Sequence, residues 1–162
     1  MTSDPFTAYA LERQPSGLDG VLVLFDEKTR GPDASSPHIV TRAWIGEHLG
    51  WTDHRQRLLA CFDTFLEQAQ QHGIIIEGVL IGGSFVSRKD SPKDIDFLVI
   101  YRADENFEAA ALSRFVSAKQ PYLDWRFVPS DTGTLPLLKI TLFCHLLYEG
   151  RSGGEGSILM IM

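Results

Sequence analysis

The sequence has few cysteines, no long apolar run and a shortage of basic residues, and each lack removes a class of protein. Cys61 and Cys144 are the two cysteines among 162 residues, both inside apolar runs and neither in a C-x-x-C. A disulfide framework and a zinc site are set aside on that count, and a reducing, cytoplasmic compartment fits best. No window approaches the roughly eighteen consecutive apolar residues of a membrane-spanning helix. The first residues, MTSDPFTAYALERQPSG, carry an early acid and lack an apolar core, so they do not read as a secretory signal. Lys and Arg number 15 against 21 Asp and Glu, a net charge of −6. That balance lacks the basic footprint of a broad nucleic-acid binder, while leaving room for a small basic pocket. The histidines at 38, 48, 54, 72 and 145 are scattered, with no metal-ligand spacing. There is no internal repeat.

What is present is a globular composition, 44% hydrophobic and 22% charged, in a length that suits one domain. Residues 1–16, polar and bearing Pro5 and Pro15, read as a flexible tail, and 17–162 as a single domain. Val21 to Phe25 reads as a strand, and Lys28 to Pro37 (KTRGPDASSP) as a loop. Thr41 is placed to cap a short helix that Gly50 ends. Asp53 is placed to cap a longer one, with Gln56 completing a capping box and Gly73 closing it. Leu58, Leu59, Phe62, Phe65, Leu66 and Ala69 fall on one face of that helix. Further strands are expected at Ile74–Ile81, Ile95–Tyr101 and Tyr122–Val128. A helix capped by Asp104 lies between the last two. Pro136 sits in the first turn of a final helix with Leu137, Ile140, Cys144 and Leu147 inward, followed by a flexible loop, Gly150 to Gly156. The closing run Ile158 to Met162 is a terminal strand or the cut edge of a longer chain.

The stretch that carries chemistry is Leu80 to Tyr101, LIGGSFVSRKDSPKDIDFLVIY. A strand ends in Gly82, Gly83 and Ser84, where glycine permits a sharp turn and close approach of a ligand to the amides. If Ser84 opens a short helix, its hydroxyl and the free N–H groups there suit a phosphate. Asp94 and Asp96 are two apart on the next strand and therefore share a face, opposite Ile95, Phe97 and Val99. Side-by-side carboxylates repel unless a cation lies between them, and oxygen-only ligands favour magnesium, manganese or calcium over zinc. On the third strand Asp124 shares a face with Tyr122 and Arg126. If that strand neighbours the Asp94–Asp96 strand, three carboxylates converge, and Asp124 serves as a base or as a metal ligand. Arg88, Lys89 and Lys93 flank the turn and are candidates for phosphate contact.

Gly-Gly-Ser followed by Asp-Ile-Asp at this spacing, between two apolar strands, resembles the nucleotidyltransferase superfamily of DNA polymerase β. Gly83, Ser84, Asp94 and Asp96 match the family pattern directly, and Asp124 matches by order and strand context. Over roughly residues 39–130 the chain is also similar to small bacterial members of that superfamily, through TRAWIGEHLGWTDHRQRLL, GSF, PKDID and DWRFVP. The resemblance implies an α+β (α/β) fold with a small mixed β-sheet and helices packed on one face. It implies a nucleoside triphosphate (ATP or another NTP) held on Gly83, Ser84, Arg88 and Lys89, with Mg2+ or Mn2+ on Asp94, Asp96 and Asp124. The activity implied is transfer of an NMP to an acceptor hydroxyl on protein, RNA or a small molecule, with release of pyrophosphate. The setting implied is a toxin–antitoxin or phage-defence locus, with a helical partner protein and no membrane. The alternative is a catalytically silent protein of the same fold that acts as a binding partner or antitoxin.

Each feature has a plainer competitor. An Asp-x-Asp at the start of a strand is otherwise a solvated strand end. Asp124 with Arg126 is otherwise an ion pair. Gly82 and Gly83 serve a tight turn and Ser84 an N-cap. Arg88, Lys89 and Lys93 read as a solvated loop, and Arg55 and Arg57 as surface residues at a helix start. Cys61 and Cys144 read as core, and Trp44, Trp51 and Trp125 as packing residues.

Overall fold

The computed structural model describes residues 36–153 and 156–162. The tail over 1–16, the strand expected at Val21–Phe25 and all but the end of the Lys28–Pro37 loop lie outside the described residues. Five strands form one mixed sheet: β1 (His38–Thr41), β2 (Ile74–Gly82), β3 (Ile95–Ala103), β4 (Leu123–Pro129) and β5 (Ile158–Ile161). Their order across the sheet is β1-β5-β2-β3-β4. The outer pairs β1–β5 and β3–β4 are parallel, and β2 runs antiparallel to both its neighbours. Four strands fall where the apolar runs predict them. The fifth, β1, was not expected, because its four residues lie between a loop by composition and a helix cap. Its partner β5 lies far along the chain, where Ser157 and Ser36 also bond.

Four helices accompany the sheet: α1 (Arg42–Leu49), α2 (Asp53–Gln70), α3 (Ala109–Ser117) and α4 (Thr134–Ser152). The alternation of the strands sorts the side chains. Val79, Ile81, Ile95, Phe97, Val99 and Met160 join the core built with α1, α2 and α3. Leu80, Leu98 and Val128 point the other way, against Cys144 and Tyr148 of α4. Helices therefore cover both faces, where the sequence suggested one. On the first face Phe65 touches the rings of Phe97, Phe115, Trp125 and Phe127, and Arg42 of α1 is held to Asp63 of α2 by a paired bond at 2.7 Å.

The helix ends depart from expectation in instructive ways. Thr41 caps α1 as predicted, accepting from the Trp44 amide at 3.2 Å. For α2 the cap is Thr52, one residue before Asp53, and Gln56 donates to the Gly50 carbonyl instead of closing a capping box. Asp104 accepts from the Asn106 amide in a turn and caps nothing, so α3 starts later, at Ala109. Cys61 is exposed on α2, against the expectation of a core residue, and Cys144 is buried. Trp51 is partly exposed and stacks on Arg55. The final helix passes through Gly150, where a loop was expected, and stops at Gly153, whose φ of 75° is left-handed. One interior glycine costs a helix only about 1 kcal/mol, which the packing of α4 on the sheet tolerates. No helix among the described residues is long and apolar enough to cross a membrane.

Candidate active site

The site forms where β2 ends and β3 and β4 begin. Gly82, Asp96 and Asp124 stand in register across the three strands. Gly82 passes beneath Tyr148 of α4, and a Cβ there would overlap the tyrosine's own Cβ. Gly83 takes φ +68°, and a Cβ on it would overlap the Asp96 carboxylate. Both glycines are thus required, one by a helix crossing and one by a carboxylate lying directly on the turn. Gly83 to Val86 then form a single 3-10 turn in which Ser84 is half-buried. The Ser87 hydroxyl donates to the Ser84 carbonyl at 2.7 Å and draws the turn closed.

The loop that follows is fixed by an arginine that the sequence did not single out for this role. Arg55 is completely buried, which corrects the surface reading given by its place at a helix start. Its guanidinium donates to the carbonyls of Leu49, Phe85, Ser87 and Lys89 at 2.7–3.0 Å. It also lies 3.6 Å from the centre of the Trp51 ring. Burial lowers its pKa to about 10, and nearby Asp90 opposes the shift. Trp51 Nε1 donates to Asp90 Oδ1 and His54 Nε2 meets the Pro92 carbonyl, so the stretch from Ser87 to Pro92 is stitched to the start of α2. Arg57 is exposed, as expected.

Asp96 is buried, and Asp94 lies one residue before β3, half-buried. Asp124 is directly across from Asp96 on the parallel neighbour β4, so the condition for their convergence is met. The two carboxylates share one cation. Arg151, in the last turn of α4, donates from a single nitrogen to Asp96 Oδ1 and, at 2.7 Å, to Asp124 Oδ2. Burial raises the Asp96 pKa to about 6. Arg151 opposes the rise, and the charges of Asp94 and Asp124 add to it. Asp124 therefore pairs with Arg151, while Arg126 lies beside the buried Tyr148 hydroxyl, whose pKa is raised chiefly by burial.

These observations bear on whether a divalent cation suits the site. A guanidinium already stands in for a cation between two facing carboxylates. Burial raises the Asp96 pKa despite the bond from Arg151. An oxygen-only set of this kind suits magnesium or manganese. Among the described residues, however, no group of three His, Cys, Asp or Glu side chains is gathered closely enough to hold a metal. A cation would have to enter where Arg151 now lies. Arg88, Lys89 and Lys93 are exposed on or beside the loop, and the Lys89 carbonyl is taken by Arg55. Beside Asp124 a cleft of about 380 Å3 opens, lined by Val116, Lys119, Gln120, Leu123 and Trp125.

Neither the curated proteins nor the solved structures contain a significant match to the chain. One family model matches residues 23–134, a span that holds the glycine turn, Arg55, and the strands bearing Asp96 and Asp124, and ends where α4 begins. The chain belongs to that family, described as a family of unknown function (DUF6932).

Proposed function

We propose that the protein is a magnesium-dependent nucleotidyltransferase that moves an NMP from an NTP to an acceptor hydroxyl. The observation that supports this most is the contact of the Asp96 carboxylate with the Gly83–Ser84 turn, with Asp124 in register beside it. In this reading the turn amides and the Ser84 hydroxyl hold phosphate oxygens, and Arg88 and Lys89 add charge from the adjoining loop. Asp94, Asp96 and Asp124 are the residues that would hold Mg2+ or Mn2+, which neutralises the triphosphate when bound. The acceptor oxygen attacks the α-phosphorus, the bond from that phosphorus to the bridging oxygen breaks, and pyrophosphate leaves. Asp124, at the mouth of the cleft by Lys119 and Gln120, takes the acceptor's proton. The acceptor is a protein, an RNA or a small molecule, in a toxin–antitoxin or phage-defence setting with a helical partner.

A second reading has an observation of its own. Arg151 fills the place of the cation, as a silent protein of this fold acting as a binding partner or antitoxin would allow. Incubation with magnesium and each labelled NTP separates the two. The enzyme reading expects label on the protein itself or on a component of lysate, lost in Asp94→Ala and in Asp96→Ala while both variants keep the wild-type circular dichroism. No label with any NTP, together with no change in Tm on adding Mg-NTP, would overturn it in favour of the silent protein.

A further inference from the structure

The outer side of α4 carries a run of exposed apolar side chains. Its inner side meets the sheet through Leu137, Ile140, Cys144, Leu147 and Tyr148. Its outer side carries Leu135, Leu138, Leu142, Phe143 and Leu146, each at least half exposed, with Leu135 at 77% and Leu146 at 67%. A helix that is apolar on all sides belongs in an interior, and here one side has no cover among the described residues. The other exposed large apolar residues, Trp51, Ile75, Tyr122 and Met162, lie outside α4.

We propose that this face is a homodimer interface, occupied by α4 of a second copy of the chain. Two observations favour a second copy. The first is the layout of the stripe, which is compatible with two-fold symmetry. An antiparallel pairing about an axis between Leu142 and Phe143 sets each of these against the other in the opposite copy. It also brings Leu135 to Gly150 of the partner subunit, where nothing lies within 4 Å of a Cβ position. Lys139 then runs its methylene stem past Leu146 of the partner subunit with its charge in water. The second is area. The five side chains leave on the order of 500 Å2 of apolar surface, and joining two such faces removes roughly 1,000 Å2, about where specific pairing begins. The interface lies on the side of α4 away from the sheet, and its existence does not depend on the chemistry proposed for the carboxylates.

The test is sedimentation of the full-length chain across the micromolar range, alongside Leu142→Glu and Leu146→Glu. The dimer expects concentration-dependent association of the wild type. Each variant should weaken it by at least about tenfold, with the Tm of the dilute protein unchanged because neither side chain supports the monomer. A wild type that stays monomeric throughout overturns the proposal, and so does self-association that the variants leave intact. A monomer whose Tm falls on Leu142→Glu also overturns it, showing that residues of the same chain cover the face.

Discussion

On the α1–α3 side of the sheet, aromatic rings pack around Phe65, with Phe97 edge to face, and the buried Arg55 donates to backbone carbonyls. On the α4 side the apolar layer is thin. Asp96 and Arg126 border it, and Arg151 bonds to the carboxylates of buried Asp96 and partly exposed Asp124. The contrast separates two uses of the same side chain. A guanidinium in a carbonyl cage fixes a backbone and has no alternative partner. A guanidinium between two carboxylates pairs with side chains instead, and in the proposed reading a metal ion takes its place.

The comparison breaks most visibly at Arg55. Arg55→Met leaves the carbonyls of Leu49, Phe85, Ser87 and Lys89 without their donor in a site that water does not reach. The expected loss is about 4 kcal/mol in urea denaturation. Arg57→Met, two residues along and exposed, should cost less than about 0.5 kcal/mol. A loss below about 1 kcal/mol for Arg55→Met would mean that the loop after Ser84 holds itself and that the cage is incidental.

A smaller effect of opposite sign is expected at Asp96. Its folded pKa, about 6, lies above the ordinary 3.8, so the folded state binds the proton more tightly than the unfolded chain does. Stability from this group is therefore greatest at acid pH and is lost as pH rises from about 4 through 6, with burial the main cause. Asp96→Asn should then stabilise the protein by about 2 kcal/mol at pH 8 and leave it nearly unchanged near pH 4. Denaturation at the two pH values checks the sign. A variant that is less stable at pH 8 would show that the bond to Arg151 outweighs the cost of burying the charge.

What was legible from the sequence divides along the same line. Period-two alternation placed Asp96 and Asp124 on the face away from Phe97 and Trp125, and the glycine pair marked the turn that Asp96 touches. These are local properties of one strand or one turn. Arg55 and Arg151 were not legible, because their partners lie far away in the chain and are carbonyls or carboxylates gathered only by folding. A charged residue in the first turn of a helix normally faces water, and nothing in DHRQRLL distinguishes Arg55 from Arg57. Arg151 was hidden for another reason. Gly150 and Gly153 read as a loop, so the last turn of α4, which carries the arginine to the carboxylates, went unseen. The face of the sheet covered by α4 was missed as well. The inward set Leu137, Ile140, Cys144 and Leu147 was read correctly from helical spacing, but spacing within one helix does not say which face of the sheet that set meets.

The smallest stability effect is the one that best separates an exchangeable arginine from a structural one. Arg151 is partly exposed, and its partner Asp124 is similarly exposed, so solvent screens much of the attraction. Arg151→Gln should cost about 1 kcal/mol at pH 8 with divalent ions chelated. The cost should shrink near pH 5, where Asp96 is protonated and no longer needs a counter-charge. Magnesium or manganese should restore what the substitution removes at pH 8, and manganese should bind the variant at least about tenfold more tightly than the wild type. Adding Asp96→Asn to Arg151→Gln should abolish that gain. If instead the loss is equal at both pH values and no ion recovers it, Arg151 is a fixed strut at the end of α4. The two arginines would then differ only in depth, and the silent reading of the site would gain over the enzymatic one. A large manganese gain without label transfer would separate the questions further, because it would establish the cation site while leaving the acceptor chemistry to be found elsewhere.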